Sequence, residues 1–515
     1  MAARIDPLRK FVLCAVVAAL VWRPAAGVST AGFLLPQRTR VTADFSTNRT
    51  GKVAVNVPVK IDLSGHEGIA FDFTAGDLAQ FGSFCAYLKS GKGWYRVPFT
   101  PEKTNGVERI LILKEMARPE DGPSGWDGLS TFRVSARRCG TKDTYFEMDR
   151  FSVVDKDDVV RFRAGLDRTV RPCTMPKGEF RAFWCHSPRG IDGKRSWDES
   201  VAIIKRCGFN VLIANLAWAG TAYYRSSALP VSPTVETEGD AFDACLAACR
   251  KHGVALHVWK LTWNTGWGAE TRAFRQEMEK AGRTMVLGKD EKYVRWLCPS
   301  HPENRRLAVE SMVELARKGA DGVHFDYIRY NGVKSCRCEG CRRRFEKRIG
   351  RSVARWPRDI QYDGPDAAEW RRFRVENINA VVREASERIR REYPGTAISA
   401  AVFPDCETTA DEIGQDWASW CREGIVDFVC PMNYVSSAVA QGAMIRQQLQ
   451  ATAGGKAKLY PGIGLTTFPD DGCEARRFVE QIECTRRAGT GGFVAYCLTP
   501  RAEKALSAIK WIVQQ

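Results

Sequence analysis

The stretch Asp321-Gly322-Val323-His324-Phe325-Asp326-Tyr327-Ile328-Arg329-Tyr330 carries the reading of the fold. An apolar run leaves a turn, alternates with period two and ends in polar residues. That alternation puts Val323 and Phe325 on one face of a strand and His324 and Asp326 on the other. A carboxylate in such a strand is costly unless a partner or a task compensates. Asp326 is therefore either a reactive group or an acid satisfied by a cation such as Arg329. Asp321 precedes the strand and reads as a turn residue.

The same kind of unit recurs on both sides. Apolar strand-like runs at 180–185, 210–216, 255–261, 322–328, 397–403, 427–432, 458–464 and 491–497 alternate with helical periodicity, as at 197–207, 242–252, 303–318 and 370–393. Eight strand–helix units over 179–515 predict an α/β fold, a (β/α)8 TIM barrel. An open doubly wound sheet alternates too and is the rival. An Arg- and Cys-rich insertion, 335–362, follows the fourth strand.

Upstream the pattern differs. Between 42 and 156, short runs at 53–61, 68–73, 83–88, 94–99, 109–113 and 131–136 are split by glycine and Asp-Gly turns. Without helical periodicity, they predict a small antiparallel β-sandwich. Residues 1–27 read as a signal peptide: Arg4, Arg9 and Lys10, a short apolar run from Phe11 to Trp22, then Ala25-Ala26-Gly27. No later apolar run is long enough to span a bilayer, so the mature chain is expected to have no transmembrane segment and to be secreted or periplasmic.

The net charge is +17, mostly from arginine. An exported protein rarely meets nucleic acid, so none is expected as partner. The charge reads as a solvated surface or as attraction to an acidic polymer. Of the eighteen cysteines, Cys14 falls in the signal and an odd number remains. Cys185, Cys430 and Cys497 sit in apolar strands and read as small hydrophobes.

Barrel active sites lie at the C-terminal ends of the strands. The residues there are His186; Asn215 and Trp218; His257, Trp259, Trp263 and Asn264; Asp326 and Arg329; Asp405 and Glu407; Asn433 and Tyr434; Thr466 and Thr467; and Tyr496. Aromatic faces, groups that bond hydroxyls and at least two carboxylates are what glycosidic cleavage needs. Trp259 reads as barrel filling and Trp263, beyond its strand, as a sugar platform. Asp405 reads equally as a catalytic acid or a turn cap, with Glu407 as its substitute. Asp427 begins its strand and reads as structural. Cys336, Cys338 and Cys341 form C-x-C-x-x-C. This set is read either as a structural zinc site, with Cys298 or His301 as fourth ligand, or as disulfides stapling the insertion.

Arg181-Ala182-Phe183-Trp184, Trp296-Leu297-Cys298-Pro299, Pro302-Glu303-Asn304-Arg305, the stretch 321–330 and Val426-Asp427-Phe428-Val429-Cys430-Pro431-Met432-Asn433-Tyr434 resemble the glycosyl hydrolase-like family 10 barrels. The likeness runs from about Glu179 onward and implies a barrel and a glycan substrate. A distant likeness to family 18 chitinases covers Asp321-Gly322, Asp326 and Met432-Asn433-Tyr434. There His324 replaces an Asp, and Ile328 stands where those enzymes carry their acid Glu, so their mechanism does not transfer. Residues 59–64, 88–95 and 125–127 resemble jelly-roll carbohydrate-binding modules.

The sequence reading is thus an exported retaining glycoside hydrolase that cleaves a polysaccharide or cell-wall glycan without a cofactor. Asp326 is its nucleophile or stabiliser and Asp405 its general acid/base. His324, Arg329, Tyr434, Asn433, Trp218, Asn215, His257, Trp263 and Glu407 are its substrate-binding residues. A non-catalytic glycan-binding protein is the alternative and a zinc-dependent hydrolase the third.

Overall fold

The computed structural model describes residues 34–513 apart from 48–50, 167, 267, 288–294, 362 and 407. The signal expected at 1–27 and Glu407 lie outside the described residues. Phe180–Cys185, Val211–Trp218, Ala255–Leu261, Gly322–Asp326, Ala397–Val402 and Phe428–Pro431 form the first six strands of one parallel sheet, and Gly492–Tyr496 forms its last. The seventh strand is broken into Lys458–Leu459 and Gly462–Gly464. Its first piece pairs with the sixth strand and its second with the eighth, which pairs in turn with the first. The sheet therefore closes into a barrel, and the open-sheet alternative falls. Pro461 has no N–H to give the ladder, which accounts for the break. Its carbonyl still accepts from the Val494 N–H at 3.0 Å, and the Tyr460 N–H reaches Val429 O at 3.0 Å.

Polar residues that enter the strands lock the barrel's lower rim. Asn210 Oδ1 accepts from the Arg181 N–H (2.9 Å), Asp321 Oδ2 from the Leu256 N–H (2.8 Å) and Asp427 Oδ2 from the Ile398 N–H (2.7 Å). Each short side chain ties its own strand to a neighbour and satisfies an N–H at the sheet's end.

Alternation sorts the fourth strand as the pattern requires. Val323 and Phe325 are fully buried in the outer core shared with the helices Pro302–Arg317 and Ala367–Glu392. Such burial stabilises by about 1.5–3 kcal/mol per side chain. His324 and Asp326 point into the barrel. The lowest interior layer is aromatic. Phe180 stacks on Tyr460 at 4.2 Å, and the His257 ring lies 6.0 Å from Phe180 and 5.6 Å from Phe428.

Ahead of the barrel, two antiparallel sheets pack face to face. One runs in the order Thr39–Ala43, Thr144–Val154, Gly68–Ala75, Glu108–Leu113. The other runs Lys52–Ile61, Leu129–Arg138, Phe81–Ser90, Gly93–Phe99, Arg118–Glu120. Between them lies a phenylalanine cluster that includes Phe71, Phe73, Phe84, Phe99, Phe132 and Phe146. The sandwich is docked on the barrel. Arg138 pairs with Asp405 at 3.3 Å, Arg476 with Glu102 at 2.6 Å, and the Thr100 and Ser436 hydroxyls meet at 2.5 Å. No helix among the described residues is long and apolar enough to cross a membrane.

Candidate active site at the barrel mouth

Asp326 ends the fourth strand at the C-terminal mouth and is 5% exposed. Its register partner on the third strand is Leu261, two residues beyond Trp259. That placement lets the Trp259 indole N–H donate to Asp326 Oδ2 at 3.0 Å, while the Tyr327 N–H donates to Oδ1 at 2.6 Å. Tyr327 has φ +51°, which re-aims the chain immediately after the carboxylate. Burial raises the Asp326 pKa to about 6; the Tyr327 N–H, the Arg329 charge and the Trp259 indole only partly oppose it. Among the described residues, no second carboxylate perturbs it. A carboxyl poised this way exchanges a proton near neutral pH.

Rings wall the space around it. Tyr434, after the sixth strand, and Tyr496, ending the eighth, stack at 5.1 Å, and Tyr434 stands edge-on to Trp184 at 6.3 Å. Burial foremost, with the Asp326 charge adding, holds both phenols well above their ordinary range, so they are neutral donors. His186, exposed after the first strand, lies 5.3 Å from Trp259 and 5.9 Å from Trp218, nearly perpendicular to both. Arg329 lies over Phe403 at 4.6 Å and over Trp296 and Tyr327 at 5.1 Å each.

The mouth thus gathers Asp326, Arg329, Tyr434 and Trp218 from the expected set, and other expected members lie elsewhere. Asp405 turns to the sandwich, where it pairs with Arg138 and accepts from the Thr408 N–H at 3.1 Å. These contacts hold the Asp405 carboxylate at the sandwich interface and not beside Asp326, which corrects its reading as the general acid. His257 fills the lowest layer, far from the strands' C-terminal ends. Trp263 is fully buried in the outer core and offers no face to a sugar, whereas Trp259 supports the acid. Asn433 is tied to Gln448 by two amide hydrogen bonds, 3.0 and 2.6 Å.

His324 lies one layer below Asp326. Its Nε2 accepts from the Trp184 indole at 3.1 Å and its Nδ1 meets Ser399 Oγ at 2.9 Å. Burial lowers its pKa to about 3, so it is a neutral strut. Asn215 is buried and donates to Trp259 O at 3.1 Å; its Oδ1 has no partner. His186, Trp259 and Tyr496 enter the site instead. His186 and Tyr496 stand at strand ends and Trp259 two residues before one, and only their closure in space singles them out.

Beside Tyr434, the outer face of the five-stranded sandwich sheet bounds a cleft of about 370 Å³. Lys52, Arg96, Arg118 and Arg137 line it from the sandwich, and Ser436 and Thr466 from the barrel rim. Trp94 lies on the same sheet, under Arg133 at 4.2 Å. Tyr95 stacks instead on Trp126 at 3.6 Å.

A separate cluster lies in the segments that follow the third and fourth strands. Cys298, Cys336, Cys338 and Cys341 bring four Sγ atoms within 4.8 Å of one another. None of the seventeen described cysteines is joined in a disulfide. The fourth member is Cys298, and His301 is not part of the set.

The sequence model described as glycosyl hydrolase-like 10 matches residues 179–466, more than half of the chain. No curated protein matches. Among solved structures, the chain is similar to the glycoside hydrolase domain of PgaB (BpsB) from Bordetella bronchiseptica, at 14% identity over 62% of this chain and 94% of that one, with TM-score 0.46. It is similar to the agarase AgWH50C at 10% identity over 92% of both chains, TM-score 0.42. It is also similar to the glycoside hydrolase domain of PelA from Pseudomonas aeruginosa, at 12% identity over 65% of this chain and 98% of that one, TM-score 0.34.

Proposed function

The chain belongs to the glycosyl hydrolase-like 10 family, and from that premise we propose that it hydrolyses glycosidic bonds of an oligo- or polysaccharide at the barrel mouth, with Asp326 as the proton-transfer group. The observation that carries this reading is the environment of Asp326. It is a buried carboxyl raised to about 6, at the open end of a barrel, with aromatic faces beside it. Protonated, it donates to the glycosidic oxygen as the bond breaks and the sugar alcohol leaves; ionised, it takes the proton back from the water whose oxygen bonds the anomeric carbon. This role replaces that of nucleophile, because desolvation favours the neutral acid. Tyr434, Tyr496 and Trp218 supply stacking faces and neutral donors, and Arg329 supplies a fixed cation for a polar substituent.

The substrate we propose is an acidic glycan bearing carboxylates or sulfate esters. The four cations of the cleft beside Tyr434 support this, and the Trp94 face extends the path across the sandwich sheet. The basic and apolar run expected to be a signal supports action outside the cytoplasm, and intact mass of the mature protein checks its removal.

The test is release of reducing ends from a panel of neutral and acidic glycans. The wild type is expected to release sugar. Asp326→Asn is expected to lose roughly 10²–10⁴-fold in turnover while still binding. Binding without release by the wild type would favour the glycan-binding alternative.

A further inference from the structure

Cys298 closes the long excursion after the third strand. Cys336 and Cys338 lie in the loop after the fourth, and Cys341 sits in the first turn of the helix Glu339–Ile349. Cys298, Cys336 and Cys341 are fully buried. The Sγ of Cys298 lies 3.3 Å from that of Cys341 and 3.9 Å from that of Cys338. A disulfide needs about 2.05 Å. Four thiolates around zinc at about 2.3 Å stand about 3.8 Å apart along the edges of a tetrahedron. The observed separations bracket that edge.

Two further features fit a metal and not a hydrophobic cluster. The Val286 N–H points at Cys336 Sγ and the Cys341 N–H at Cys338 Sγ, both at 3.3 Å. Backbone donors of this kind stabilise thiolates in metal sites. Beside the cluster, Arg374 is 1% exposed, and its guanidinium is met by the carbonyls of Gly332, Asp411 and Glu412, with Nε unpartnered. A buried guanidinium of this kind calls for an anion nearby. Zinc with four thiolates carries two net negative charges, which suits Arg374 and also Arg344, which reaches Ser300 beside the cluster.

We propose that Cys298, Cys336, Cys338 and Cys341 bind one zinc ion as a closed structural site. Four thiols and Zn²⁺ give the tetrathiolate complex and release four protons, with no change of oxidation state. All four positions are filled by protein, so the metal has no open place for water or substrate. Its effect is to clip together the loops that follow the third and fourth strands. Cys298 is two residues from Trp296, which packs on Tyr327 at 5.1 Å and under Arg329 at 5.1 Å. The clip therefore fixes one wall of the mouth that holds Asp326.

The experiment uses the full chain as purified, followed by dialysis against Zn²⁺ or Co²⁺ alone. Elemental analysis is expected to give one zinc per chain, bound with a Kd of about 0.1 µM or tighter. Cobalt is expected to give thiolate-to-metal charge-transfer bands and the strong visible bands of a tetrahedral site. Cys338→Ser, at the half-buried ligand, is expected to weaken binding at least tenfold. Cys139→Ser, away from the cluster, is expected to keep one equivalent. Should Cys338→Ser fail to fold, a mercurial thiol reagent on the wild type is expected to release one zinc into a colorimetric chelator. Less than about 0.2 equivalents after dialysis, or an intact mass showing two disulfides among these four cysteines, would overturn the proposal.

Discussion

Asp326 is held by two N–H donors yet titrates near 6, because its desolvation outweighs them. A carboxyl whose folded pKa lies above its unfolded value of 3.8 favours the fold at low pH. That contribution is complete below pH 3.8 and is lost as pH rises through about 6. The stability gap between wild type and Asp326→Asn is therefore expected to shift by about 2–3 kcal/mol in the variant's favour from pH 3 to pH 8. Urea melts at both pH values measure it, and a gap that does not move would mean that Asp326 titrates normally. His324 has the opposite sign. Its pKa is depressed to about 3, so its contribution is present above 6.5 and fades as pH falls toward 3. His324→Ala removes the acceptor of the Trp184 indole and leaves a cavity in the barrel interior, while Ser399 keeps its bond to the Val323 carbonyl, and it is expected to cost about 3 kcal/mol in urea unfolding at pH 7. Period-two alternation made the inward aim of Asp326 legible in the sequence. Its tie to Trp259 was not legible, because the indole reaches it only through the register of two strands. Nor was the turning away of Asp405, whose partner Arg138 lies 267 residues upstream.

At the level of elements, alternation of apolar runs with helical periodicity was enough to place eight strands within a residue or two. The seventh departs from this, since Pro461 withholds an N–H and divides it, yet the barrel closes across the gap. The three side chains that lock the lower rim show why Asp321 and Asp427 read as structural: an acid that starts a strand meets a neighbour's N–H, whereas one that ends it meets the mouth. Asp427→Ala is expected to lower stability by about 1–2 kcal/mol and leave KM unchanged, measured by thermal melts and steady-state kinetics. The C-x-C-x-x-C spacing drew attention to the insertion, and both candidates for a fourth ligand were visible. Only the fold shows that Cys298, not His301, comes within reach.

For the whole molecule, the docking of the sandwich had no sequence signal. Its ion pairs join residues hundreds of positions apart, such as Arg476 and Glu102. The docking matters because it sets Lys52, Arg96, Arg118 and Arg137 beside Tyr434 and gives part of the +17 charge a place near the chemistry. Replacing Arg96 and Arg137 by Gln is expected to raise KM for an acidic glycan roughly tenfold or more, to flatten its dependence on salt and to leave neutral glycans unchanged. An equal rise for neutral glycans would assign the cleft to general packing.

Hydrolysis at the mouth turns on Asp326 delivering the proton. Its most direct test is the leaving-group dependence of kcat/KM for wild type and Asp326→Asn. A good leaving group departs without protonation, so the variant is expected to lose roughly 10²–10⁴-fold on the natural glycan and far less on an activated aryl glycoside of the same sugar. Equal losses on the two substrates, or full activity of the variant on both, would contradict it.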